Sequence, residues 1–159
     1  MNILSKSCLT LLTSISVISC QNGKTANEKE AEQRKSTEVE KSIKGCYRYA
    51  VNKDTLQLAI TAVNGNQVEG AILYNFYEKD DSKGIFKGTY SNGILNGEFT
   101  AEGEGKTSIR EISFKKVGDV FVQGTGDMEQ KGEKELFSKP TKINYGGNLK
   151  FAHTEECLP

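Results

Sequence analysis

Nucleophilic catalysis needs an imidazole or comparable base within hydrogen-bond reach of a hydroxyl or thiol, and this chain has one histidine, His153. Any Ser-His-Asp or Cys-His arrangement would rest on that residue alone. The run His153-Thr154-Glu155-Glu156 offers nitrogen and carboxylate oxygen to a metal, but it reads more simply as a solvated chain end. Paired carboxylates suited to general acid–base work occur at Glu102 with Glu104 and at Asp80 with Asp81. The first pair alternates with glycines in a turn and the second sits in a charged loop, so both read as solvated tips. No catalytic site, cofactor or metal centre is expected. The aromatic residues say more. Tyr47, Tyr49, Tyr74, Phe76, Phe86 and Tyr90, joined by Tyr77 and Phe99, crowd the first half of the foldable region. They are either a filled core or the lining of a small cavity or aromatic face for a ligand or protein partner, and the first six are the candidate ligand-binding set. With 21 basic against 21 acidic residues and no basic stripe, nucleic acid is excluded as a partner.

Elements must bring such residues together, and the first of them is a leader. Lys6 precedes an apolar, Ser/Thr-diluted run of about eleven residues, 8–18, which is too short to span a bilayer. Residues 1–19 therefore read as an export signal. It ends in Val17-Ile18-Ser19-Cys20, which resembles the lipobox of bacterial lipoproteins. That resemblance implies that Cys20 becomes a triacylated N-terminus, and three acyl chains hold a protein stably on a membrane. The other reading is an ordinary secretory signal with a chance cysteine. Residues 21–24, Gln-Asn-Gly-Lys, lack the acidic run that resembles a surface-export signal in lipoproteins of the Bacteroidota, which favours the periplasmic face of the outer membrane.

On this reading Cys8 leaves with the leader and Cys20 is consumed by lipid. Cys46 and Cys157 remain, and in an oxidising compartment such a pair is expected as a disulfide, two free thiols being the alternative. Zinc would need further ligands that stand beside neither one. Residues 20–44 are mixed in charge and poor in large apolar side chains. They are expected to be a flexible or weakly helical tether without an apolar face to pack.

From residue 45 to 159 the pattern is that of strands. Tyr47, Tyr49 and Val51 alternate with polar or small residues, as do Leu56, Leu58 and Ile60, and Val68, Gly70, Ile72, Tyr74 and Phe76 share one face. Asn64-Gly65 predicts a tight hairpin. Residues 84–90 and 93–99 repeat the pattern G-I-x-x-G-x-aromatic, which resembles a single MORN-type repeat. In residues 107–116 Ile109 falls on one parity and Ile112 and Phe114 on the other, which predicts a bulge near Arg110. Strands at 120–125 and 148–153 follow, with Leu149 and Phe151 facing in. Residues 128–138 are less clear, mostly charged from Glu129 to Glu135 with Leu136 and Phe137 returning to the core, and Pro140 excludes a central strand there.

The result is an all-β antiparallel meander of about eight strands, a curled sheet or a small up-and-down barrel, lipocalin-like in layout. In a closed meander of even strand number, Cys46 at the start and Cys157 beyond the end lie on one rim, as a disulfide requires. The chain as a whole resembles the small lipoproteins of Bacteroidota, through its lipobox, Lys/Glu tether, Gly45-Cys46-Tyr47 start, glycine-rich hairpins and terminal Glu155-x-Cys157. Barrel-shaped lysozyme-inhibitor lipoproteins are similar in size and layout. The resemblance to the Bacteroidota lipoproteins implies architecture and location only. The function expected on that architecture is a lipid-anchored binding or interaction module of the cell envelope, whose partner is a small apolar ligand or an envelope protein. The alternative is a structural or stress-related envelope protein, or an inhibitor of an envelope hydrolase.

Overall fold

The structure, a computed structural model, describes Arg34 and residues 37–39, 42–103 and 106–157. The leader, Cys20, most of the tether and the turn tip at Glu104 and Gly105 lie outside the described residues. Seven strands meander in sequence: β1 (Gly45–Val51), β2 (Asp54–Asn64), β3 (Gln67–Asn75), β4 (Ser82–Ser91), β5 (Ile94–Gly103), β6 (Lys106–Val117) and β7 (Val120–Gln123). A hairpin of β8 (Met128–Lys131) and β9 (Lys134–Phe137) and a 3-10 turn at Pro140–Lys142 then leave the wall, before β10 (Lys150–Thr154) returns to it. β10 lies antiparallel to both β7 and β1, and β5 pairs with β6, so eight strands close into an antiparallel barrel.

The turns explain the meander. Asn92-Gly93 between β4 and β5 takes φ of 52° and 77°, the mirror-image turn whose twist suits paired strands. The hairpin expected at Asn64-Gly65 is displaced by one residue. Asn64 still pairs with Gln67, and the loop is Gly65-Asn66 with the positive φ on Gly65. The two halves of the sequence repeat are the two strands of one hairpin, and Gly88 faces Gly97 across it. Gly70 works differently, by close approach. A Cβ there would fall 1.9 Å from the Ala59 carbonyl oxygen and 2.6 Å from the Phe86 ring, so only glycine lets that ring cross the strand.

Alternate residues fill the interior. Leu56, Leu58, Val68, Ile72, Phe86, Leu95, Phe114, Phe121 and Phe151 are at most 1% exposed, as befits an eight-stranded barrel whose bore is just wide enough for side chains. Edge-to-face pairs organise them, Tyr47 on Phe121 at 4.8 Å and Phe114 on Phe151 at 5.5 Å between ring centres.

Three expectations need correction. The first concerns the tether: Val39 and Ile43, four residues apart and both helical, present one face to the core, and Ile43 is fully buried. Its carbonyl accepts a 2.9 Å hydrogen bond from the Tyr47 hydroxyl. The charged residues between them hid a helical spacing that closes one end of the barrel, here called the near rim. The second concerns β6. It pairs with β5 without a break from Ile94 opposite Lys115 to Gly103 opposite Lys106, so there is no bulge at Arg110. The register shift sits in β2, between Ile60 and Ala62. The third is the charged stretch left unassigned, which forms β8 and β9. β7 covers β6 only along residues 114–117, and β9 pairs in parallel with Ile109 and Arg110 beyond it. The hairpin thereby protects an edge that would otherwise present unpaired backbone groups.

Candidate functional site

An unbroken β6 has a chemical consequence. With Ile112 and Phe114 facing inward, strict alternation turns Arg110 inward too, at the far end of the barrel from Ile43. Its cross-strand partner is Phe99 and its guanidinium lies against two ring faces, 5.2 Å from the centre of Tyr74 and 5.8 Å from that of Phe99. The two rings meet edge to face at 5.7 Å, and Phe76 stacks beyond Tyr74 at 6.3 Å with planes 11° apart. A cation held on aromatic faces in this way gains about 0.5–2 kcal/mol, more as water is removed.

Gln123 ends β7 on the inward parity. Its Nε2 donates to the Tyr74 hydroxyl at 2.9 Å, while its Oε1 is buried and accepts no hydrogen bond from the described residues. Burial raises the pKa of Tyr74, against smaller lowering effects from Arg110 and Gln123. These residues floor a cleft of about 550 Å³ at the far rim. Leu149 adds an apolar wall, and Gln130, Glu133 and Glu135 border it from the β8–β9 hairpin. Among the described residues no carboxylate forms an ion pair with Arg110. Those that pair do so elsewhere, Glu98 with Lys134 at 2.6 Å and Glu129 with Lys131 at 2.7 Å. The site therefore sets a cation that makes no ion pair among the described residues, and an acceptor with no partner among them, at the mouth of an otherwise filled barrel.

The near rim carries a second hollow, bordered by Ser42, Lys44, Tyr47, Lys116, Asp119 and His153. Serine, histidine and carboxylate meet here. No hydrogen bond joins their side chains, however, and His153 is exposed with its ring packed edge-on against Tyr47 at 5.4 Å. A relay needs nucleophile and base in contact, so these three residues do not form one as they stand.

Of the six aromatic residues singled out by sequence, only Tyr74 and Phe76 line the far mouth. Tyr47 borders the near hollow and Phe86 is core. Tyr49 and Tyr90 are half-buried against the core, near Phe151 and Phe121 respectively, each at 6.4 Å. Cys46 and Cys157 are bonded, with Cα atoms 5.5 Å apart. Glu156 next to them accepts a 2.9 Å hydrogen bond from Arg48 through its carbonyl, tying the chain end onto the outside of β1. Sequence reasoning missed Arg110 and Gln123, and it had Phe99 in the wider aromatic cluster but outside the candidate set. The signal was the parity of Ile112 and Phe114, which continues without a bulge to Arg110.

Fold and site together define an antiparallel eight-stranded barrel, lipocalin-like in layout, with a polar patch set into one mouth. No family model, curated protein or solved structure matches the chain.

Proposed function

We infer that this is a lipid-anchored protein of the cell envelope, on the periplasmic face of the outer membrane, that binds a small ligand in the far mouth of its barrel without transforming it. The observation that carries the reading is the mouth itself. A guanidinium with no acidic partner among the described residues lies on the Tyr74 and Phe99 faces, beside the unsatisfied Oε1 of Gln123. A buried polar group without a partner costs free energy that a bound ligand recovers. The leader and lipobox resemblance support the location, and a disulfide suits an oxidising compartment. The filled bore changes the expected occupant: an apolar molecule has no room inside, whereas an amphipathic one fits the mouth.

A second reading, capture of an envelope protein such as a hydrolase, draws on Val51 and Tyr77. These are 46% and 50% exposed beside the same mouth, with Lys53 Nζ 3.8 Å from the centre of the Tyr77 ring. Native mass spectrometry of the protein extracted gently from its own membranes separates the two. The expected spectrum shows acyl mass on Cys20 and a small companion. A protein companion would favour the second reading, and an unacylated chain with no companion would overturn both anchor and ligand.

A further inference from the structure

Resting on the reading of the far mouth as a ligand site, we propose that the ligand is a compact organic monocarboxylate carrying an amide N–H or hydroxyl beside a flat apolar body. The charge follows from Arg110. A guanidinium has only donors, does not give up its proton, and presents them as a planar fork that matches a carboxylate. Packing on Tyr74 and Phe99 holds the guanidinium in the mouth before anything binds.

The single charge follows from the border. Glu133 and Glu135 stand at the edge of the cleft. A second negative charge on the ligand would face two carboxylates with one cation between them, so phosphate and dicarboxylates fit worse than a monoanion. The donor follows from Gln123. With its Nε2 donating to Tyr74, the remaining buried Oε1 accepts only from an N–H or O–H that the ligand brings.

Size and flatness follow from the walls. Tyr74 and Phe76 stack nearly parallel and Leu149 closes the side. Below the cleft Phe86, Phe114, Phe121 and Phe151, each at most 1% exposed, leave no channel for a long acyl chain.

The test is an NMR titration of the full chain in detergent, read at the amides of Tyr74, Arg110 and Gln123, with five probes. N-benzoylglycine has every feature. In 3-benzoylpropanoate a methylene replaces the N–H, and in N-benzoylglycinamide the charge is gone. Dodecanoate and inorganic phosphate complete the set. N-benzoylglycine is expected to bind at least about tenfold more tightly than the other four, a ratio worth one good hydrogen bond or charge contact. Arg110→Gln should abolish its advantage over the amide, and Gln123→Leu its advantage over 3-benzoylpropanoate, each with the melting curve retained. Should Gln123→Leu not fold, Gln123→Met serves the same end.

Equal or tighter binding of the neutral amide, phosphate or dodecanoate at these amides overturns the ligand class while leaving the mouth a binding site. No shift with any probe also overturns the class, and the mouth then stands or falls by the companion in the native mass spectrum.

Discussion

Tyr47 places a phenol where ionisation is penalised. Its ring is 2% exposed, its hydroxyl donates to the Ile43 carbonyl, and burial, then Tyr90 and Asp119, push its pKa up to about 12 from 10.0. Burial raises Tyr74 and Tyr90 as well. The folded chain therefore keeps protons that the unfolded chain releases. The resulting stability is complete below pH 10 and is lost as the pH rises toward 12. Tyrosinate absorbance followed beside chemical denaturation should show unfolding free energy falling across that window, and falling less in Tyr47→Phe. A flat profile for the parent chain would contradict the burial argument. At this scale, residue types were legible in the sequence and directions less so. The aromatic cluster was visible, but which rings share a space depends on strand tilt and stagger, which alternation does not encode. Arg110 was visible too. Turning both Ile109 and the pair Ile112 and Phe114 inward demanded a bulge, when the strand runs straight and turns Arg110 inward.

At the scale of elements, length mismatch does the organising. β6 is twelve residues long while β7 is four, and the uncovered part of β6 is where the β8–β9 hairpin docks. Glu111 fastens it by accepting a 2.8 Å hydrogen bond from the Phe137 N–H. Two residues further along the same face of β6, the Ser113 hydroxyl donates to the Asn96 amide oxygen at 2.6 Å and lies 2.7 Å from the Tyr145 hydroxyl. The hairpin escaped the sequence because charged and polar residues make up most of it even where they are half-buried, so no apolar alternation survives to mark a strand. The helical turn at Ile43 escaped for the opposite reason, being two apolar residues in a field of charge. It matters to stability all the same. Ile43→Ala empties a fully buried site and should cost about 2–5 kcal/mol. Denaturant titration of that variant against the parent measures it, and a loss below about 1 kcal/mol would mean that the segment only rests on the rim.

For the whole molecule, closure and cross-link say the same thing. The even-stranded meander brings start and end to one rim, and Cys46 and Cys157 meet there across 111 residues. Both facts were legible, because tight turns force neighbours to pair and an isolated cysteine pair, in a chain whose first residues read as an export signal, has few other fates. Opening so long a loop by Cys46→Ser should lower stability by about 4–5 kcal/mol on the chain-entropy account. The melting temperature should fall by on the order of 10–20 °C for a barrel of this size. Calorimetry under oxidising conditions checks it, and an unchanged melt would remove the bond from any role in stability.

The position of that bond also decides how the barrel carries load. β1 and β10 are neighbours, and the bond ties the start of one to the tail of the other. A pull on the chain ahead of residue 45 would otherwise peel β1 away one hydrogen-bonded pair at a time. With the tail clamped alongside, the same pull must shear both strands together, and tension between the two ends of the chain runs through sulfur and bypasses the wall. On the anchoring proposed above, the barrel can then be tugged by its first residues without its mouth changing shape.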